Sequence, residues 1–314
     1  PATRTRCGAG RCSGERRRSA AQRPTGAAPS PRTGCSSLKK ATIAAVVCIL
    51  LILTAVFGPA LAPQDPYDLS TLDIMDSKLP PGAESMSGAT YWFGTDVQGR
   101  DMLSAMIYGL RTSLFVGVLA GLVALVVGTV LGLSAAYFGG RVDTVIMRLV
   151  DLMLGFPTLL VALMLLAILG QGVGKVIFAL VLVQWAMFAR AVRAAALVEK
   201  GKDYIEAAKM LGLSRPRMLF GHLLPNCLSP LIVIGTLQVA NAISAEATLS
   251  FLGIGLPITQ PSLGLLIANG YQVLLSGQYW ISVYPGLLLL TLVFSINIVG
   301  DRLREVLNPR LAER

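Results

Sequence analysis

Charged side chains are scarce in this 314-residue chain, in which 14% of the residues are Asp, Glu, Lys or Arg while 54% are hydrophobic. A water-soluble domain of this composition would leave much of its apolar surface uncovered, so the scarcity of charge excludes an ordinary soluble fold. Histidine is nearly absent as well, since His222 stands alone, and the five cysteines form no Cys-x-x-Cys pair. The sequence therefore predicts neither a zinc site nor a disulfide framework, and it favours a packing or interfacial role for His222.

A phosphate-binding loop of the pattern GxxxxGK[ST] is also lacking from the sequence. Without that glycine-rich cradle the chain cannot hold a nucleoside triphosphate by this device. An intramembrane protease is disfavoured too, because it needs a base beside a nucleophile within the bilayer and the one histidine lies at the edge of an apolar stretch. We therefore expect the chain not to be an enzyme.

Long apolar sequence without charge is what the chain has in abundance. Charge-free runs of 24, 29, 23, 28 and 54 residues cover 41–64, 112–140, 152–174, 218–245 and 247–300. Each is longer than the roughly 20 residues that a helix needs to cross a bilayer. A further span fits over 173–198, where Lys175, Arg190 and Arg193 can reach the interfaces. The sequence thus predicts an all-α integral membrane protein with six transmembrane helices, the third of them kinked at Pro157.

Two patterns of small residues at a spacing of four, "GVLAG" and "GTVLG", fall within the second predicted span. Such patterns let helix backbones approach one another closely in a membrane. We expect this helix to pack tightly against its neighbours.

Basic residues are distributed unevenly among the connections. Residues 1–40 hold ten Lys or Arg and one acid, and with an inside amino terminus the inside segments hold 23 basic residues against four outside. Because Lys and Arg resist translocation, both termini are predicted to be cytosolic. The tail of residues 1–40 is predicted to be disordered; an arm that binds nucleic acid or anionic lipid is the alternative, although the tail lacks interleaved aromatics.

One short charged segment interrupts the apolar sequence between the fourth and fifth predicted spans. In "DYIEAAKMLGLSRPRMLFGHLLP" the first residue, Asp203, can act as N-cap with Glu206 three residues later, and Gly212 can end the helix. Ala207 and Ala208 present a nearly bare backbone that suits a groove on another protein. A helix that rests on anionic lipid is the alternative, disfavoured because the apolar face is small.

The same segment resembles the EAA motif of ABC importer permeases, in which EAA is followed by three residues, a glycine, nine residues and a position two before Leu-Pro. Six residues stand in register with that motif: Glu206, Ala207, Ala208, Gly212, Leu224 and Pro225. The stretches "FGTDVQGRDMLSAMIYGLRTSL" (93–114), "AEATLSFLGIGLP" (245–257) and "GDRLREVLNPRL" (300–311) resemble the C-type membrane subunit of dipeptide and oligopeptide importers. The resemblance covers nearly the whole chain after about residue 39.

This resemblance implies a type I ABC importer permease fold in a bacterial plasma (inner) membrane. It implies a translocation subunit for dipeptides or other short peptides, with a nickel chelate, glutathione or an oligopeptide as alternative cargo. The implied partners are a second homologous permease subunit, one or two cytosolic ATPases, an extracytoplasmic peptide-binding protein and membrane lipid, but no nucleic acid. ATP and Mg would be bound by the ATPases, so no cofactor is expected in this chain. An ion-coupled secondary transporter is the runner-up; it would need paired intramembrane ionisable residues and inverted repeats.

The predicted organisation has five parts. They are a basic cytosolic tail (1–40), a first transmembrane helix (41–64), an extracytoplasmic segment (65–110), a five-helix core (111–300) and a cytosolic C-terminal tail (301–314). Within the core, a coupling helix is expected over 203–212 and an extracytoplasmic loop over 250–280. The resemblance implies that contact with the ATPase involves Asp203, Tyr204, Glu206, Ala207, Ala208, Gly212, Leu224 and Pro225.

Four polar residues of the fifth predicted span, Gln238, Asn241, Ser244 and Thr248, share one helical face. They either line a water-filled path or hydrogen-bond neighbouring helices, bonds worth ~0.6 kcal/mol on average in membranes. Glu246 points away from this face, and a carboxylate within a span must be paired, protonated or near an interface. We expect Glu246 to act at a gate or in an inter-subunit hydrogen bond rather than to contact substrate.

Overall fold

The computed structural model describes residues 32–67, 74–85, 88 and 90–307. Most of the predicted basic tail and residues 308–314 of the predicted C-terminal tail lie outside the described residues. Ten α-helices and one two-stranded antiparallel sheet are present in the described part. They are α1 (Arg32–Leu61), β1 (Ala83–Glu84), β2 (Thr90–Tyr91), α2 (Met102–Phe138), α3 (Gly140–Gly155), α4 (Thr158–Leu169), α5 (Val173–Lys200), α6 (Asp203–Met210), α7 (Arg215–Met218), α8 (Leu224–Phe251), α9 (Leu263–Val273) and α10 (Trp280–Leu307).

Five continuous helical segments are long and apolar enough to cross a membrane. They contain α1, α2, α5, α8 and α10, and α8 is reached from α7 through a π-helical turn over Leu219–Leu223. Many large apolar side chains on these helices remain exposed, for example Phe57 on α1 and Phe294 on α10. Such a surface is suited to lipid or to a second membrane subunit.

The third predicted span is broken rather than kinked. Helices α3 and α4 meet at an angle of 89° around Phe156 and Pro157. Proline disfavours the helical conformation of the residue before it, and Phe156 is extended with φ −99° and ψ 144°. The 12 residues of α4 cover only about 18 Å, less than the ~30 Å hydrocarbon core, so a sixth crossing exists only if α3 and α4 together form one broken span.

Helix α2 lies at the centre of the bundle and packs against α1, α5, α8 and α9. A Cβ placed on Gly128 would lie 2.5 Å from the carbonyl oxygen of Trp185 on α5, and one placed on Gly117 would lie 2.3 Å from the side chain of Ile243 on α8. Glycine therefore allows both contacts, and the predicted close packing of the second span is confirmed.

Several predicted boundaries differ from the observed helix ends. Helix α1 begins at Arg32, inside the predicted disordered tail, and ends at Leu61, before the predicted end at residue 64. Helix α2 begins at Met102, inside the predicted extracytoplasmic segment, and α10 runs through Leu307 into the predicted C-terminal tail. Extending an existing helix gains one hydrogen bond for each residue fixed, so these helices continue past the apolar runs that locate them.

The predicted extracytoplasmic segment holds the start of α2 firmly. The side chain of Asp101 caps α2 by accepting the backbone N–H of Ser104 at 2.8 Å, and the backbone N–H of Asp101 donates to Oε1 of Gln64 at 2.8 Å. Just before the cap, Arg100 and Asp96 form a fully buried ion pair with Nε and Oδ2 2.8 Å apart. A single rigid unit thus surrounds the start of α2.

The predicted loop over 250–280 contains a short helix, α9, which packs on α8, α10 and α2. Ser262 caps α9 by accepting the backbone N–H of Leu265 at 3.2 Å. A Cβ on Gly264 would lie 2.3 Å from the carbonyl oxygen of Ala247, so the start of α9 rests directly on the α8 backbone.

Candidate coupling helix and translocation path

Helix α6 connects α5 to α7 and lies against the end of the bundle that is predicted to be cytosolic. Its Ile205 is fully buried and Ala208 is 6% exposed. Both belong to an apolar cluster built by α2, α5 and the α7–α8 region, whose buried members include Leu133, Ala136, Val192, Ala196, Met218, Leu219 and Leu223. The helix is therefore held by its own chain on one side.

The start of α6 differs from the predicted capping box. Asp203 is already the first helical residue, and among the described residues no hydrogen bond joins it to Glu206. The helix begins one residue earlier than the box requires because the carbonyl oxygen of Lys202 accepts the N–H of Ile205 at 3.0 Å. The two acids still lie in the first turn, where the helix dipole favours negative charge.

The end of α6 agrees with the prediction. Gly212 has φ +70°, the left-handed conformation that ends many helices. The N–H of Leu211 donates to the carbonyl oxygen of Ala207 at 3.0 Å, and the N–H of Leu213 donates to that of Ala208 at 3.4 Å. These bonds close the last turn and direct the chain back toward the bundle.

A polar cluster also ties α6 to α5 and α8. The hydroxyl of Tyr204 donates to Oε2 of Glu199 at 2.8 Å and accepts from Nδ2 of Asn226 at 3.1 Å, while Nζ of Lys202 donates to Oε1 of Glu199 at 2.6 Å. Partial desolvation of the Tyr204 phenol raises its pKa to about 12, and the adjacent Glu199 carboxylate acts in the same direction. The phenol therefore stays protonated and keeps donating at physiological pH.

The predicted coupling residues differ in their exposure. Asp203, Tyr204, Glu206, Ala207, Gly212 and Pro225 are exposed, Leu224 is half-buried and Ala208 is buried. Ala208 thus faces the bundle of its own chain and is not part of a bare surface open to another protein. The reason is the helical period, which places Ala208 on the same face as Ile205.

Two residues that the sequence reasoning missed form the outer tip of this region. Met210 is 88% exposed and Leu211 81% exposed, immediately before Gly212. Large apolar side chains at a highly exposed helix end suggest a protein contact, because they gain by being covered. The signal was present in the sequence as two consecutive apolar residues at the end of a short charged helix.

The cytosolic end of α5 is joined to its neighbours by charged side chains. Nζ of Lys200 donates to the carbonyl oxygens of Ala136 and Tyr137 at 2.8 and 2.9 Å and so caps the end of α2. Arg193 forms two bonds with Asp143 of α3, Nε to Oδ1 at 2.5 Å and Nη2 to Oδ2 at 2.6 Å. These contacts join the end of α5, which leads into α6, to both α2 and α3.

The polar stripe of α8 lines a cavity of about 420 Å³ that is bounded by α3, α4, α5 and α8. Gln238, Asn241, Ser244 and Thr248 all contribute to its wall. Nδ2 of Asn241 donates to Oε1 of Gln238 at 2.7 Å, whereas the two hydroxyls donate to carbonyl oxygens of their own helix. Within the described chain none of these four side chains forms a hydrogen bond to another helix. This favours the first of the two predicted roles, in which the stripe lines a water-filled path.

Glu246 lies off this stripe, as predicted from the helical period, and is completely buried. Its Oε2 accepts from Oγ of Ser113 on α2 and its Oε1 from Oγ of Ser250 on α8, each at 2.8 Å. Both partners belong to this chain, so the carboxylate joins α2 to α8 within one subunit. Its predicted role at a gate or in an inter-subunit hydrogen bond stays a prediction.

His222 is half-buried beside the coupling region, and its carbonyl oxygen accepts from Nδ2 of Asn226 at 2.7 Å. Among the described residues no group of three or more His, Cys, Asp or Glu side chains could hold a metal ion.

Comparison with known proteins agrees with this geometry. The model of the family described as binding-protein-dependent transport system inner membrane component matches residues 128–313, and that of the N-terminal transmembrane domain of oligopeptide transport permease C matches residues 39–81. A dipeptide transport system permease protein of Haemophilus influenzae is 37% identical over 273 residues, 87% of this chain and 91% of that protein. An oligopeptide transport system permease protein of Bacillus subtilis is 34% identical over 275 residues, 88% of this chain and 87% of that protein.

The fold resembles a solved structure as well. An inward-facing structure of the MetNI methionine ABC transporter aligns with a TM-score of 0.54 at 20% identity, covering 66% of this chain and 98% of that chain. The resemblance, the permease fold and the inner-membrane location expected from the sequence are thus confirmed. The chain belongs to the family of binding-protein-dependent transport system inner membrane components.

Proposed function

We propose that this chain is one of two pore-forming subunits of an ATP-driven importer of dipeptides and other short peptides. The permeases named above, similar over more than four fifths of the chain, carry dipeptide and oligopeptide transport in their names, which favours peptides over a nickel chelate or glutathione as cargo. In this proposal a second permease subunit completes the pore and an extracytoplasmic binding protein delivers the peptide.

The observation that carries the proposal is the exposed tip of α6 on a firmly anchored base. Met210 and Leu211 project from the cytosolic side, while Ile205 and Tyr204 hold the same helix to the bundle. A partner that grips the tip can therefore move the spans. Because the sequence has no phosphate-binding loop, that partner would be an ATPase, which binds ATP and Mg itself.

Movement of α6 would be converted into opening and closing of the path. Lys200 and Arg193 lie at the end of α5 that leads into α6, and they bond α2 and α3, respectively. Helices α5, α2 and α3 would therefore shift together rather than bend separately. Rigid displacement of packed helices is a common means of switching between two arrangements. Peptide would be exposed alternately to the outside and the inside as the ATPases close and open.

The test is a charge placed on the tip. Changing both Met210 and Leu211 to Glu removes two apolar contacts with the ATPase. Each contact is worth about 1.5–3 kcal/mol when the side chain is fully buried. Their loss should therefore lower the affinity for the ATPase at least about 100-fold. The matched control is Val306→Glu, because Val306 is also apolar and 68% exposed near the cytosolic end of α10 but lies outside α6. Copurification of the ATPase and ATP-dependent dipeptide uptake in proteoliposomes are measured.

We expect the double variant to insert normally, to lose the ATPase and to lose uptake, while Val306→Glu retains both. ATP-dependent uptake that survives unchanged in the double variant would show that α6 is not the docking element.

A further inference from the structure

The cavity beside α8 has a wall whose polar residues are all uncharged. Besides the four residues of the α8 stripe, Gln184 of α5 and Thr158 of α4 line it, and the remaining lining residues are apolar. The nearest ionisable residue on α8, Glu246, is completely buried off the stripe and bonds Ser113 and Ser250, so it does not line the cavity. Farther along α3 and α5, Asp151 and Arg190 form an ion pair at 2.5 Å. The cavity therefore offers hydrogen bonds to a solute without selecting for its charge.

Gln184 is the most informative member of this wall. The residue is 8% exposed, and its buried Oε1 has no hydrogen-bond partner among the described residues. A buried amide oxygen left without a donor is unfavourable, particularly within a membrane protein. Because Gln184 lines the cavity, a molecule bound there is placed to supply the missing donor once the amide turns toward it.

The opposite wall complements this acceptor. The bond from Asn241 to Gln238 fixes how the two amides face, and it leaves the Asn241 oxygen as an acceptor and the NH2 group of Gln238 as a donor. Together with Gln184 the wall thus offers acceptors and a donor, which is what a peptide group, with one N–H and one C=O, requires.

We propose that this cavity is a relay site that binds the backbone of the transported peptide, with Gln184 Oε1 accepting a peptide N–H and the Gln238–Asn241 pair bonding the peptide group from α8. The inference rests on the proposed function and adds to it the part of the cargo that is recognised. A volume of about 420 Å³ lies within the ~300–1,000 Å³ of small-molecule sites. Side-chain selection is then left to the binding protein.

An N-methylated dipeptide tests the proposal, because it keeps the side chains and the charged termini of the cargo but carries a methyl group in place of the peptide N–H hydrogen. Uptake of this probe and of the unmodified dipeptide is measured in proteoliposomes of the complete complex, with the binding protein saturated by each. We expect wild type to transport the unmodified peptide roughly tenfold faster, the effect of losing one buried hydrogen bond. Gln184→Leu should lower uptake of the unmodified peptide toward the rate of the methylated one and so abolish the discrimination.

Two controls complete the experiment. Gln184→Asn retains an amide and should keep part of the discrimination, and Thr291→Val should keep all of it, because Thr291 bonds only its own helix through the Leu287 oxygen. ATPase activity stimulated by the binding protein should be retained in every variant.

Undiminished discrimination in Gln184→Leu, or wild type that transports both peptides equally, would overturn the relay site while leaving the importer assignment intact. Failure of wild type to transport either peptide with ATP would instead refute the proposed function.

Discussion

Replacing Gly128 with Ala should loosen the permease at the close contact between α2 and α5. A Cβ at this position would lie 2.5 Å from both the Trp185 carbonyl oxygen and Cβ of Phe188. Normal contacts between such atoms are about 3.5–4 Å, so α2 and α5 must separate by roughly 1 Å. Overpacking of this kind costs about 1–3 kcal/mol.

The matched control is Gly235→Ala in α8. Gly235 also lies within a membrane helix, but a Cβ there would meet no atom within 4 Å. This change should be neutral or stabilise the helix by about 0.5–1 kcal/mol, the ordinary preference of helices for Ala over Gly.

Thermal unfolding of the purified complex in detergent compares the two variants, and ATP-dependent uptake per ATP hydrolysed measures the functional effect. We expect Gly128→Ala to unfold at a lower temperature and to transport less per ATP, because α5 carries the base of α6. Equal unfolding temperatures and equal coupling for the two alanine variants would refute the reasoning from close packing.

Three further changes test the contacts that join the helices. Glu246→Gln should keep most of the uptake because the amide can still bond both serine partners, whereas Glu246→Leu should cost about 1–3 kcal/mol of unfolding free energy; equal stability of the two variants would contradict this role. Asp143→Arg should lower the free energy of unfolding of the complex, and adding Arg193→Asp should restore part of the loss. For this partly exposed pair we expect a coupling energy of about 0.5–1 kcal/mol in a double-mutant cycle. Additive losses would show that the pair contributes nothing. Lys200→Met should preserve ATP hydrolysis but lower the uptake per ATP, because the cap on α2 is lost; an unchanged ratio would exclude this lysine from coupling.

The apolar runs and the motif around Glu206 were sufficient to predict the five continuous membrane helices, the short helix α6 and its end at Gly212. These features depend on short-range patterns: the length of an apolar run, the spacing of a motif and the freedom of one glycine. The same kind of pattern predicted the tight contacts of the second span, because small residues at a spacing of four have few other uses in a membrane helix.

Features that depend on contacts distant in sequence were not predictable from one chain. Ser113 bonds Glu246 across 133 residues, and nothing in either local sequence identifies the other as its partner. The burial of Ala208 and the position of Gln184 in the cavity depend on how α5 and α6 rotate against the bundle. The 89° break at Pro157 exceeds a kink because the short α4 can pack against α5 at a new angle.

Helix α2 extends from the Asp101 cap to the Lys200 cap without a proline, over about 55 Å. A continuous helix of this length without a proline has no kink at which a tilt of one end could be lost before it reaches the other. If it pivots on its contact at Gly128, a tilt of only ~5° swings the end at Met102, some 39 Å away, by roughly 3 Å. A movement of α2 at its cytosolic end would then move its outer end at the same time. Opening of the path on both sides at once would therefore be mechanically difficult.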